Sequence, residues 1–100
     1  MADEAKLRRQ QERGIRAKEL IENELLREAF DKLENEIVER FKESKASEKE
    51  LREDAHRSIR LLAHIRGQLQ HTMVTGEAAK RELLNISEKS KIRQFLNQGS

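Results

Sequence analysis

The sequence predicts an all-α protein: an antiparallel helical hairpin of two long helices with a short C-terminal helix, coiled-coil-like and oligomeric. Three observations lead there. The chain is built from strong helix formers, with 40 % charged residues, twelve Leu and no Pro. Its apolar residues recur at steps of three and four, the spacing that keeps one face of a helix. A single strong break and restart falls near the middle, at Ser44–Ser47, and a short link between two helices folds them back on each other.

The same composition excludes other classes. With 21 Lys and Arg against 19 Asp and Glu, the net charge is only +2 despite the charge density. β-Branched and aromatic residues are scarce, which argues against a sheet. No window approaches the roughly 18 uninterrupted apolar residues of a membrane span. The N-terminus lacks the apolar core of a signal peptide, so a chain that stays in the cytosol or is packaged from it is expected. Zero cysteines exclude disulfides, thiol catalysis and thiolate metal sites.

The whole chain, 1–100, is expected to form one helical domain. Residues 1–16 read as a basic arm, in which Leu7 and Ile15 are sparse among Arg, Gln and Glu, and Gly14 weakens an isolated helix by about 1 kcal/mol. The first helix spans 17–43, carried by Ala17, Ile21, Leu25, Leu26, Phe30, Leu33, Ile37 and Phe41. After a turn at 44–47, Ser47 and Glu50 have the spacing of a capping box, each side chain reaching the other's backbone N–H. The second helix, 48–85, has Ala55, Ser58, Leu62, Ile65, Leu69, Thr72, Gly76, Ala79, Leu83 and Ile86 at alternating steps of three and four. That register crosses Gly76, which favours one continuous helix through it. Ser87 or Ser90 would cap a short helix over 87–96, and residues 97–100 form a loose tail.

A hairpin centred near Ala46 pairs residues whose numbers sum to about 92. Phe41 then faces Leu51, Ile37 faces Ala55, Phe30 faces Leu62, and Leu26 faces Ile65 or Arg66. The expected seam is Leu26, Phe30, Leu33, Ile37, Phe41, Ala55, Leu62, Ile65 and Leu69. Two helices enclose no core, so further burial through self-association or docking on a larger surface is expected. Leu20, Val38, Leu61 and Leu84 lie off the seam and are candidate partner contacts. Gly67, opposite Leu25, leaves room for a large side chain or a close helix.

No catalytic or cofactor site is expected. His56, His64 and His71 never fall at the i,i+4 spacing of helical zinc pairs, and no phosphate loop or nucleophile elbow occurs. The carboxylates, Glu24, Glu28, Asp31 and Glu39 among them, read as solvent-facing ion-pair partners. The chain is therefore expected not to be an enzyme. Arg8, Arg9, Arg13, Arg57, Arg60 and Arg66 are the candidate nucleic-acid contacts. Interleaved acids and the lack of stacking aromatics favour an ion-paired face over phosphate binding.

Two stretches carry a resemblance. One is Arg16-Ala-Lys-Glu-Leu-Ile-Glu-Asn-Glu-Leu-Leu-Arg-Glu-Ala-Phe-Asp-Lys-Leu-Glu34; the other runs from Arg52-Glu-Asp-Ala-His through Gln68-Leu-Gln-His-Thr-Met-Val-Thr-Gly-Glu-Ala-Ala79. Together, over residues 16–84, they resemble a family of short helical proteins of tailed bacteriophages and prophages, encoded among head and DNA-packaging genes. Tryptophans that relatives carry near Phe41 and His56 are absent here. The resemblance implies a bacteriophage structural or virion-assembly protein with no catalytic residue, self-associating or docking with other phage structural proteins. A DNA-binding packaging accessory of the small-terminase kind, or a phage inhibitor of a host protein, stand as alternatives.

Overall fold

The computed structural model describes residues 3–98. It is all-α, with α1 (Glu4–Glu22), α2 (Glu24–Glu43) and α3 (Lys49–Gln98), and no strand among the described residues. No helix among them is long and apolar enough to cross a membrane.

Each boundary has a local cause. Asp3 starts α1: its carboxylate accepts from the Ala5 and Lys6 N–H groups at 3.0 and 3.4 Å, donors that the first turn leaves unpaired. The helix ends at Glu22 because Asn23 turns extended (φ −68°, ψ 118°) and its side chain accepts from the Leu26 N–H at 2.9 Å. Asn23 is thus the N-cap of α2, and Glu24 in the first turn suits the helix dipole. The single helix expected over 17–43 is two helices. The apolar pattern runs across the break undisturbed, and a short polar side chain that competes for backbone donors makes it.

α2 ends at Ser44, which is extended and bonds its N–H to the Phe41 carbonyl at 3.2 Å. Arg40 and Lys42 in the last turn complement the exposed carbonyls. The Glu48 N–H closes a turn onto the Lys45 carbonyl at 2.9 Å, and the Glu48 carboxylate takes the Lys45 N–H at 2.9 Å. The reciprocal bonding expected between Ser47 and Glu50 is therefore replaced by one between Lys45 and Glu48. With the turn so tightened, α3 starts at Lys49.

α3 is one helix of 50 residues, roughly 75 Å at 1.5 Å per residue. It runs through Gly76, as the unbroken register anticipates, and also through Ser87 and Ser90. The separate helix over 87–96 does not exist as such. No Pro occurs anywhere and no Gly between 77 and 98, so nothing stops propagation. Of the tail expected at 97–100, Asn97 and Gln98 are helical, and Gly99 and Ser100 lie outside the described residues. So do Met1 and Ala2 of the arm.

The chain divides into two compact units, residues 3–18 with 71–98, and Glu19–Gln70. In the first, α1 meets α3 at two glycines. A Cβ built on Gly76 would lie 2.6 Å from the Gly14 Cα and 2.8 Å from the Gln10 carbonyl oxygen. One built on Gly14 would lie 2.7 Å from the Gly76 Cα. Backbone thus touches backbone. Leu7 at 8 %, Ala17 at 3 % and Ala79 at 2 % exposure are the buried apolar residues of this unit. Of the stretch expected as a basic arm over 1–16, residues 4–16 belong to a packed helix. Its contact surface is made of small residues, which leave little trace in an apolar pattern.

Candidate interaction surface

In the second unit α2 and the first half of α3 share a seam, and its two flanks differ. Arg52, Ile59 and Arg66 are seven apart and form one stripe of α3. Both arginines lie over aromatic rings of α2, Arg52 at 4.6 Å from the centre of Phe41 and Arg66 at 5.1 Å from that of Phe30. Arg66 also bonds Asp31 at 3.1 Å and Glu34 at 3.3 Å. The spacing of the sequence places Arg66 near Leu26. The long side chain instead leans toward the N-terminus of its own helix, as helical side chains do, and its head lands on Phe30, Asp31 and Glu34. Arg52 keeps its Nε buried without a hydrogen-bond partner.

The stripe one residue back, Leu51, Ser58 and Ile65, lies about 100° around the helix on the other flank. There, Ile37 and Arg40 of α2 with Glu50, Leu51, Asp54, Ala55 and Ser58 of α3 line an open groove of about 340 Å³. Apolar side chains on this flank stay wet: Leu33 is 45 % exposed, Leu51 42 %, Leu61 60 % and Ile65 41 %. No arginine covers a ring here among the described residues.

The expected residues separate accordingly. Of the seam, Ala55 is buried and Leu26, Phe30, Ile37, Leu62 and Leu69 are half-buried, whereas Leu33, Phe41 and Ile65 are exposed. Of the outer contacts, Leu20, Leu61 and Leu84 are exposed. Val38 is half-buried, because it lies on the flank that the arginines cover. Gly67 has nothing within 4 Å of a Cβ built on it, and Leu25 is exposed.

The basic candidates are partly engaged. Arg8 pairs with Glu4 at 3.6 Å, Arg57 with Glu53 and Asp54 at 3.5 Å each, and Arg66 with two acids of α2. Arg9, Arg13 and Arg60 form no ion pair among the described residues. No cluster of three His, Asp or Glu that could hold a metal ion occurs among the described residues. A concavity on α2, around Glu28, Asp31, Glu36 and Glu39, is open, and these four carboxylate residues are exposed.

Sequence reasoning did not find Asn23, Gly14 with Gly76, or the Arg52 and Arg66 stacking. Asn23 followed by Glu24 carries a helix-start signal. The glycine contact carries none in a single sequence, because each glycine alone only weakens its own helix. No protein-family model, no curated protein and no solved structure matches this chain.

Proposed function

We propose that the chain is a non-enzymatic assembly protein that acts by helix–helix docking. In this reading α2 and the first half of α3 form an antiparallel hairpin whose bare flank is the working surface. One observation carries it: among the described residues only Leu7, Ala17, Ala55 and Ala79 are buried apolar side chains, while thirteen large ones stand more than a third exposed. A helical protein this charged keeps large apolar groups at its surface at the expense of solubility, and such surfaces serve contacts with other chains. The resemblance over residues 16–84 adds the setting, a bacteriophage virion or packaging complex, with virion and host cytoplasm as its places.

The test is mass spectrometry of particles purified after induction of a host that carries the gene. The chain is expected there at a fixed copy number relative to the major capsid protein. Its absence from both mature and precursor particles would sink the reading. The DNA-binding alternative is weaker because Arg8, Arg57 and Arg66 already face carboxylates. Light scattering coupled to size exclusion at low salt, with and without duplex DNA, separates the two, since phosphate binding must produce a salt-sensitive mass increase.

A further inference from the structure

We propose that residues 89–98 of α3 form an amphipathic stretch that lies on an anionic lipid surface. The inference goes beyond the docking reading and uses none of the seam residues. Burial along α3 shows where its packing ends. Between positions 76 and 98 only Gly76, Ala79, Leu83 and Ile86 are not exposed, and every residue from Ser87 to Gln98 is exposed. Ile92, Phe95 and Leu96 stand 59 %, 75 % and 64 % exposed, at the i, i+3 and i+4 spacing of one face. At about 100° per residue that face points almost opposite to the row Gly76, Ala79, Leu83 and Ile86. It does not continue the contact with α1, and a flat surface can approach it without meeting residues 4–18 of α1.

Charge at the edges of this face names the occupant. Lys91 borders Phe95 on one edge, and Lys89 and Arg93 border Ile92 and Leu96 on the other. The far side holds Ser90, Gln94, Asn97 and Gln98, all uncharged, and no Asp or Glu occurs from 89 to 98. Glu88, one turn before Ile92 on the same side, bounds the stretch. None of the three bases forms an ion pair among the described residues, whereas Arg8, Arg16 and Arg57 are each matched by an acid of their own helix. When the apolar sector sinks into the acyl boundary, bases along both edges reach the level of the lipid phosphates, their long stems snorkelling outward. A helix seated in a protein groove needs no such two-edged arrangement. An anionic plane does, because it meets both edges at once.

The chain contains no Trp, so a single introduced one reports its own surroundings. Phe95→Trp is expected to shift its emission to the blue on adding vesicles of phosphatidylglycerol with phosphatidylcholine, and not with phosphatidylcholine alone. Gln94→Trp, on the uncharged side, is expected to keep the emission of a water-exposed indole with both. In co-sedimentation with the anionic vesicles, Phe95→Ser should weaken binding about tenfold, and Lys89→Gln, Lys91→Gln and Arg93→Gln about fivefold each. These positions are exposed, so wild-type helicity is expected in every variant and is checked by circular dichroism. A wild-type chain that stays in the supernatant overturns the proposal, and so does an equal shift at positions 94 and 95. Equal binding by Phe95→Ser overturns it too, because diffuse attraction to the chain's bases would then account for the binding. If the wild type ignores vesicles while Phe95→Ser drops out of particles, the face belongs to a protein; the lipid assignment falls and the docking reading stands.

Discussion

Three glycines sit inside helices and only two of them are packed, which allows one substitution to be compared with itself. In an exposed helix interior Gly→Ala is favourable by about 1 kcal/mol, through reduced backbone entropy in the unfolded chain and better helix propensity. Gly67 meets nothing within 4 Å, so Gly67→Ala is expected to raise stability by about that amount. At Gly76 the same propensity gain applies. The new methyl, however, would lie 2.6 Å from the Gly14 Cα and 2.8 Å from the Gln10 carbonyl oxygen. An ordinary contact of this kind is about 3.5–4 Å, so α1 and α3 must separate locally by about 1 Å. Both obstacles are backbone, which no rotamer change can move aside. Overpacking costs about 1–3 kcal/mol, and separation also loosens the close-packed Ala17 and Ala79. Gly76→Ala is therefore expected to lower stability by up to about 2 kcal/mol net, and to fall about 1–3 kcal/mol below Gly67→Ala. Gly14→Ala should behave like Gly76→Ala. Urea titration followed by circular dichroism at 222 nm, at one fixed protein concentration, gives the three values. Equal stability of Gly76→Ala and Gly67→Ala would refute the backbone contact.

Other substitutions probe the second unit. Arg66→Ala should cost about 1 kcal/mol, since its partners are half to mostly exposed and screened; a double-mutant cycle with Glu34→Ala should return a coupling that shrinks in high salt. Asn23→Ala removes the α2 cap and is expected to cost about 1 kcal/mol, while Asn23→Gly costs only a few tenths; faster hydrogen exchange at the Leu26 amide would locate the loss. Leu62→Asp places a charge on the half-buried seam and should cost roughly 3 kcal/mol, read as lost helicity at room temperature. A variant retaining wild-type helicity and mass would count against Leu62 as a seam residue.

Much of the helical content was legible because large apolar residues carry the periodicity. Leu26, Phe30 and Ile37, and then Ala55, Leu62 and Leu69, keep their steps, and the continuity of α3 through Gly76 follows from a register that does not reset there. What escaped has definite causes. Asn23 interrupts a helix through one side-chain bond to the Leu26 N–H, a feature two residues from apolar positions that continue on both sides. The packing of α1 escaped because its surface is Gly14 and Ala17 against Gly76 and Ala79, and small residues contribute little to any apolar count. The covered and bare flanks were hidden for a different reason. Arg52 and Arg66 look like generic surface charge until their rings and acids are placed beneath them. Sequence spacing therefore treated Val38 and Leu61 alike, whereas only Leu61 is left open.

The placement of Arg52 over Phe41 and Arg66 over Phe30 has a consequence for assembly size. A rod greasy on opposite sides would add neighbours without limit and grow into sheets or filaments. Here the guanidiniums armour one side of the second unit, so apolar docking by this unit is open on one side only.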